Sequence, residues 1–299
     1  MKIARAMKNM SFSYTITPVE IAESMAFNLD CLGCVCWFEY GRIMAMPGTT
    51  IPFSDTVKPY ISFFHKRRDL IRDTDVVADV AILRNFPSQA FANPEHAALT
   101  YRVEQIMIEE RVPFQIIFDR QLADLSRYRS LVLAGCVALS DRHIEEIKNF
   151  VSAGGRLCVV GPAAEYDEWL RPRAADPLAA IAPDRVVRVD AQGDIISAVR
   201  RSCADRLAIA ISAPVGLGIE LTEQTQRRLV HLVNYRPDGP IREADVELRV
   251  PAGKRIKSVT MATPQAPEDT DLAFAQQADL VTFRIPGVEI YAIAVVSWE

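Results

Sequence analysis

Between residues 76 and about 205, short apolar runs alternate with stretches at helical spacing. Residues 79–83, 114–118, 131–135, 156–160 and 186–189 are apolar and rich in β-branched side chains, which predicts strands. Between them, Leu99, Val103, Ile106 and Met107 form one stripe of a helix. Asn93-Pro94-Glu95 opens it with an N-cap, a proline at the first helical position and an acid in the first turn. Ser140-Asp141 caps a second helix carrying Ile144, Ile147 and Val151, and Gly154-Gly155 ends it. A third helix runs over about 194–201. Strand–helix alternation with short links predicts a doubly wound parallel sheet covered on both faces.

The pattern differs on either side. In 1–75, Thr17-Pro18-Val19-Glu20 signals a helix start, followed by Ile21, Met25 and Leu29. Residues 32–40 read as one buried strand, and Val57, Ile61, Phe64 and Leu70 as an amphipathic helix over about 55–72. Pro59 falls in its first turn, where proline is tolerated. After residue 206 the helical period disappears. Candidate strands at 207–212, 218–221, 228–234, 246–250, 256–261, 280–285 and 289–296 are separated by turn residues such as Pro237-Asp238-Gly239. Seven short strands in about 95 residues favour a small antiparallel β-sandwich. The expected division is therefore 1–75, 76–205 and 206–299, with no internal repeat.

Composition narrows the classes. Of the 299 residues, 49% are hydrophobic and 24% charged, ordinary values for a folded globular protein. With 34 basic against 38 acidic residues the net charge is −4, which offers no electrostatic footprint for nucleic acid. No apolar run approaches the ~18 residues of a membrane helix, and Met1–Met10 lacks the apolar core of a secretory signal. The six cysteines sit mostly in apolar runs, so reduced thiols in a cytoplasmic protein are expected.

Cys31, Cys34 and Cys36 resemble half of a zinc site, but no second CxxC or HxxxH completes four ligands, so no metal and no cofactor is expected. The first strand-to-helix turn, Arg84-Asn85-Phe86-Pro87-Ser88, has no glycine to cradle a dinucleotide. Amidotransferase chemistry needs a cysteine on a sharp strand-to-helix turn with a histidine–acid pair. The turn after 156–160 has none, and Cys136, at the end of the preceding strand, is the only cysteine left to test for it. A small-molecule enzyme or sensor using Cys136 stays open as the alternative. His65, His96 and His143 are scattered over different helices, whereas alternation puts His231 on a strand face with Leu229 and Val233, as a buried, hydrogen-bonded histidine. Trp37, Glu39, Tyr40 and Arg42 are the candidate substrate contacts, because rings stack on sugars while carboxylate and guanidinium bind hydroxyls.

These residues carry a resemblance. The strand 79–83, the segment "DRQLADLSRYRSLVL" (119–133) and the unit "IEEIKNFVSAGGRLCVVG" (144–161) look like the trimerisation domain of family 42-type β-galactosidases. That domain is a degenerate, amidotransferase-like (flavodoxin-like) α/β fold. "HLVNY" (231–235) and the strand through 291–296 resemble the C-terminal β-sandwich of the same enzymes, and 17–72 resemble the last helix, strand and closing helix of their (β/α)8 barrel. The resemblance implies an α-β-α barrel remnant at 1–75, a trimerisation-like domain at 76–205 and a β-sandwich at 206–299. Retaining glycosidases of this kind use two carboxylates ~5 to 5.5 Å apart. No position here matches either one, so no catalytic residue is assigned. The implied role is the non-catalytic C-terminal region of a glycoside hydrolase, a homo-oligomer (trimer or dimer) with a carbohydrate ligand.

Overall fold

In the α/β part, five parallel strands form one sheet in the order Val186–Val189, Arg156–Val160, Ser130–Ala134, Val80–Arg84, Phe114–Phe118. Numbered along the chain, that order is 2-1-3-4-5 read from the Phe114–Phe118 edge. The computed structural model describes residues 2–35, 38–39, 42–43 and 55–299. Two compact units result, one of 78–208 and one combining 1–77 with 209–299. The chain as a whole pairs an α/β unit with an antiparallel β-sandwich.

In the α/β unit Asn93 caps Pro94–Glu109 and Ser140 caps Asp141–Ser152 as expected, and Asp194, read as the first residue of a helix, instead caps Ile195–Ser202; each side chain accepts from a backbone N–H of the first turn. The link from Val80–Arg84 to Phe114–Phe118 runs one way across the sheet, and that from Ser130–Ala134 to Arg156–Val160 the other. Right-handed crossovers then put Pro94–Glu109 and Asp141–Ser152 on opposite faces. Ile195–Ser202 packs beside Pro94–Glu109. Strand interiors are buried throughout, as a sheet covered on both faces requires. Asp79 closes the unit: its backbone carbonyl accepts from Ser130 N–H, and its carboxylate from Arg129 and from Ala208 N–H at 2.6 Å.

The other unit holds a four-stranded sheet, Ile209–Ser212, Ala244–Arg249, Leu280–Ile285 and Phe274–Gln277, and a six-stranded one. The latter runs Thr270–Asp271, Ile256–Ala262, Tyr291–Trp298, Arg227–Asn234, Leu217–Gln224, Asp75–Val76. In the four-stranded sheet, Ala244, Val246 and Leu248 are buried while Asp245 and Glu247 are exposed, so one face meets water. Tyr291–Trp298 shows no such alternation and is buried on both faces. Its second cover comes from the N-terminal segment. Ile21 and Met25 of the helix Pro18–Phe27, with Phe63 and Phe64 of Lys58–Lys66, join Leu229, Val233, Tyr291, Ile293 and Val295 in one core. The Phe63 and Tyr291 rings meet edge-on at 6.0 Å.

That packing is why two units appear where the sequence suggested three parts. A strand apolar on both faces, such as YAIAVVSW, must be covered twice, and 1–75 does the covering. The single strand expected at 32–40 also differs. Cys34–Val35 pairs parallel with Tyr14–Thr15, whereas Phe38–Glu39 pairs antiparallel with Arg42–Ile43. Among the described residues no helix is long and apolar enough to cross a membrane.

Candidate functional site

In open parallel sheets, ligands sit beyond the C-terminal strand ends where the order reverses. Here that point lies between Val80–Arg84 and Ser130–Ala134. It is filled by the chain's own polar groups. Asn85, fully buried, accepts from Ser88 N–H at 3.0 Å and from Ser88 Oγ at 2.6 Å, and donates to Asp119 at 2.7 Å. Asp119 also accepts from Phe86 N–H at 2.9 Å. From the neighbouring loop, Ala138 N–H donates to Ser88 Oγ at 2.9 Å. Asn85 thereby caps the short helix Phe86–Ala90, which the sequence reading took for a plain turn.

Cys136 lies inside this plug. It is 1% exposed, and its Sγ contacts the Leu83 carbonyl at 3.4 Å. Burial pushes its thiol up to about 12. A nucleophilic cysteine needs the opposite, a thiol stabilised as thiolate by positive neighbours or a base. Labelling of Cys136 by a maleimide in the native protein is expected to be at least ~100-fold slower than in urea-unfolded protein; equal rates would revive the thiol chemistry. Gly135 makes the plug possible. It sits at φ +64°, and a Cβ there would lie 2.3 Å from the backbone carbonyl oxygen of His96.

Of the four residues expected to touch substrate, Glu39 and Arg42 fall opposite one another in a short antiparallel pair. Trp37 and Tyr40 lie outside the described residues, as does Cys36. Cys31 Sγ accepts from Gly33 N–H at 3.2 Å. Among the described residues no three His, Cys, Asp or Glu side chains are grouped to hold a metal ion.

His231 is the buried histidine that strand alternation predicts. It is hydrogen-bonded through Nδ1 to the Tyr291 hydroxyl at 2.8 Å and through Nε2 to Thr222 Oγ1 at 3.2 Å. Burial, with the Arg5 charge second, pushes its imidazole down to about 3. Arg5 comes from the helix Lys2–Ala6, donates to the Ala26 carbonyl at 2.6 Å and to Thr74 Oγ1 at 2.8 Å, and is 5% exposed. Glu220, cross-strand from His231, pairs with Lys2. Through Lys2 and Arg5 this cluster ties the N-terminal helix to the six-stranded sheet and to the segment beside it.

The connection 161–185 carries no regular structure beyond a 3-10 turn at Pro183–Arg185. It is pinned to the neighbouring loop by Ala164 N–H to Cys136 O and Tyr166 N–H to Val137 O, both at 2.9 Å. Arg173 clamps it again, donating to Leu139 O at 2.7 Å and pairing with Asp141 at 2.7 Å. The loop is long, anchored and dense in Trp, Arg and acids, "YDEWLRPR", a composition that points to a functional loop.

No protein-family model matches this sequence, and no curated protein matches it either. Solved structures do match in fold. α-L-Fucosidase isoenzyme 2 from Paenibacillus thiaminolyticus aligns with 100% of this chain at TM-score 0.75 and 14% identity. An exo-carrageenase of family GH42 from Bacteroides ovatus aligns with 82% at TM-score 0.52 and 14% identity. A GH42 β-galactosidase from G. stearothermophilus aligns with 74% at TM-score 0.50 and 13% identity. The chain spans 62%, 32% and 40% of those three proteins, less than two thirds of each. It therefore shares its fold with parts of glycoside hydrolases, GH42 enzymes among them.

Proposed function

We propose that this chain is the non-catalytic C-terminal region of a β-galactosidase-like glycoside hydrolase, supporting a catalytic (β/α)8 barrel and holding a homo-oligomer (trimer or dimer) together. The observation that carries this reading is a bare apolar stripe in the N-terminal segment. Met10, Phe12, Tyr14 and Ile16 are 66%, 72%, 56% and 36% exposed, while Ser11, Ser13 and Thr15 between them are more covered. The Phe12 and Tyr14 rings meet edge-on at 5.5 Å. Residues two apart on extended chain share a face, and a contiguous apolar face of this kind marks a surface meant to be covered.

The same segment is laid out as barrel chain is. Tyr14–Thr15, the helix Pro18–Phe27 and Cys34–Val35 form a strand–helix–strand unit with parallel strands. That is the repeating unit of a (β/α)8 barrel. The strand order of the α/β unit supports a flavodoxin-like, amidotransferase-like reading of it. Its filled switch point supports an assembly role over a catalytic one.

Purified protein of these 299 residues is expected to release no nitrophenol from aryl galactosides, and to sediment and scatter as a dimer or trimer. Release that Glu39→Gln abolishes would overturn the non-catalytic reading. A strict monomer at high concentration would overturn the assembly role.

A further inference from the structure

We infer that the loop carrying Trp169 is a binding site for a neutral pyranose sugar, with the indole as stacking platform and the surrounding carboxylates and guanidinium groups as hydroxyl partners. The choice of sugar rests on the glycoside hydrolase reading; the site rests on the geometry of the loop.

Trp169 is 72% exposed, although burying an indole is among the largest gains a side chain can make. The loop holds it out. Asp167 carboxylate accepts from Trp169 N–H and from Arg171 N–H, both at 2.9 Å, and Asp167 N–H donates to Arg171 O at 3.0 Å. Leu170 completes the turn at φ +60°, a conformation costly for a non-glycine residue. Farther down, Arg173 N–H donates to Glu165 O at 2.8 Å, and Tyr166 bridges to both Ala138 and Pro172. The turn is thus determined several times over, with its largest apolar side chain at the tip.

Beside the indole lies an open cavity of about 550 Å³, lined by Asp141, Asp167, Glu168, Arg171 and Arg173. Its volume suits one or two sugar rings. The lining is mostly charged and of both signs, which fits a ligand with a flat C–H face and many hydroxyls: carboxylates accept from hydroxyls and guanidinium groups donate to them. A protein partner anchored on Trp169 would call for an apolar surround excluding water, and this cavity does not supply one. The site also stands at the C-terminal strand edge, next to the filled switch point.

Calorimetric titration of the full chain with lactose, and separately with L-fucose, tests this. Saturable binding of at least one sugar is expected, weakened about tenfold or more by Trp169→Ala with no change in melting temperature, since the indole is already exposed. Absence of binding by both sugars would overturn the site, and so would binding that survives Trp169→Ala. If Trp169→Ala instead leaves sugar binding absent and dissociates the oligomer, the loop is a protein contact and the sugar site is wrong. None of these outcomes depends on hydrolysis, so failure here is distinguishable from failure of the proposed function.

Discussion

Acidification from pH 7 toward pH 4 is expected to cost the unit formed by 1–77 and 209–299 several kcal/mol of stability through His231 alone. The imidazole is neutral and saturated in the fold, with its folded-state value pushed down to about 3, against about 6.5 when unfolded. Between those values the unfolded chain binds a proton that the folded chain refuses. Stability is therefore complete above about pH 6.5 and is lost as pH falls, at up to about 1.4 kcal/mol per pH unit. Urea unfolding at a series of pH values measures this. Carboxylates add their own acid sensitivity, so the decisive quantity is the difference between the wild type and His231→Gln. The variant should be about 1–3 kcal/mol less stable at pH 7, because the Tyr291 hydroxyl and Thr222 lose their shared partner. It should also lose stability less steeply below pH 6.5. Parallel curves for the two proteins would mean that the imidazole is charged in the fold.

The second large effect concerns Gly135. Gly135→Ala should destabilise the α/β unit by about 3 kcal/mol or more, seen as a large drop in melting temperature or as insoluble protein. Two costs add. The backbone is at φ +64°, which charges an alanine about 1–2 kcal/mol. The new methyl group would also lie 2.3 Å from the His96 carbonyl oxygen, a backbone atom at the start of a helix that cannot swing aside. Gly154→Ala separates the terms. Gly154 is at φ +107° with nothing within 4 Å of a built Cβ, so it bears the conformational cost without the collision. Equal losses at the two glycines would show that the close approach of the two loops does not matter.

Particular elements show how far the chain could be read without its fold. The helix starts at Thr17/Glu20, Asn93/Pro94 and Ser140/Asp141 were legible because capping is local chemistry between residues a few positions apart. The strands Phe114–Phe118, Arg156–Val160, Val186–Val189 and Leu280–Ile285 coincide with their expected bounds, since short apolar β-branched runs have few other uses. Short edge elements were not legible. Asp75–Val76 and Thr270–Asp271 are only two residues long and Phe274–Gln277 is largely exposed, so none carries a local pattern, and each gains order by pairing with a neighbouring strand. The helix Phe86–Ala90 was missed because Asn85 earns its place as a cap within a network that also needs Asp119 and Ala138.

The candidate sites divide along the same line. His231 could be assigned to a buried face from alternation, but its partners Tyr291 and Thr222 come from two other strands. Cys136 could be named as the one thiol in a suggestive turn, while its burial depends on loops that close over it. Trp169 gave no periodic signal, because a loop tip has none; it is held out from the surface by hydrogen bonds around Asp167 and by the anchored loop beneath them.

By itself the sequence determined the class of each stretch, helix–strand in the middle and strand-only at the end, because periodicity and capping act over a few residues. It also carried the resemblance to glycoside hydrolases. Only the tertiary structure decided that residues 1–75 belong with the C-terminal strands, that the sheet's reversal point is filled, and that an indole stands beside a charged cavity. Each of these rests on contacts between residues far apart in the chain, where burial and hydrogen-bond saturation, which no local pattern encodes, select one arrangement.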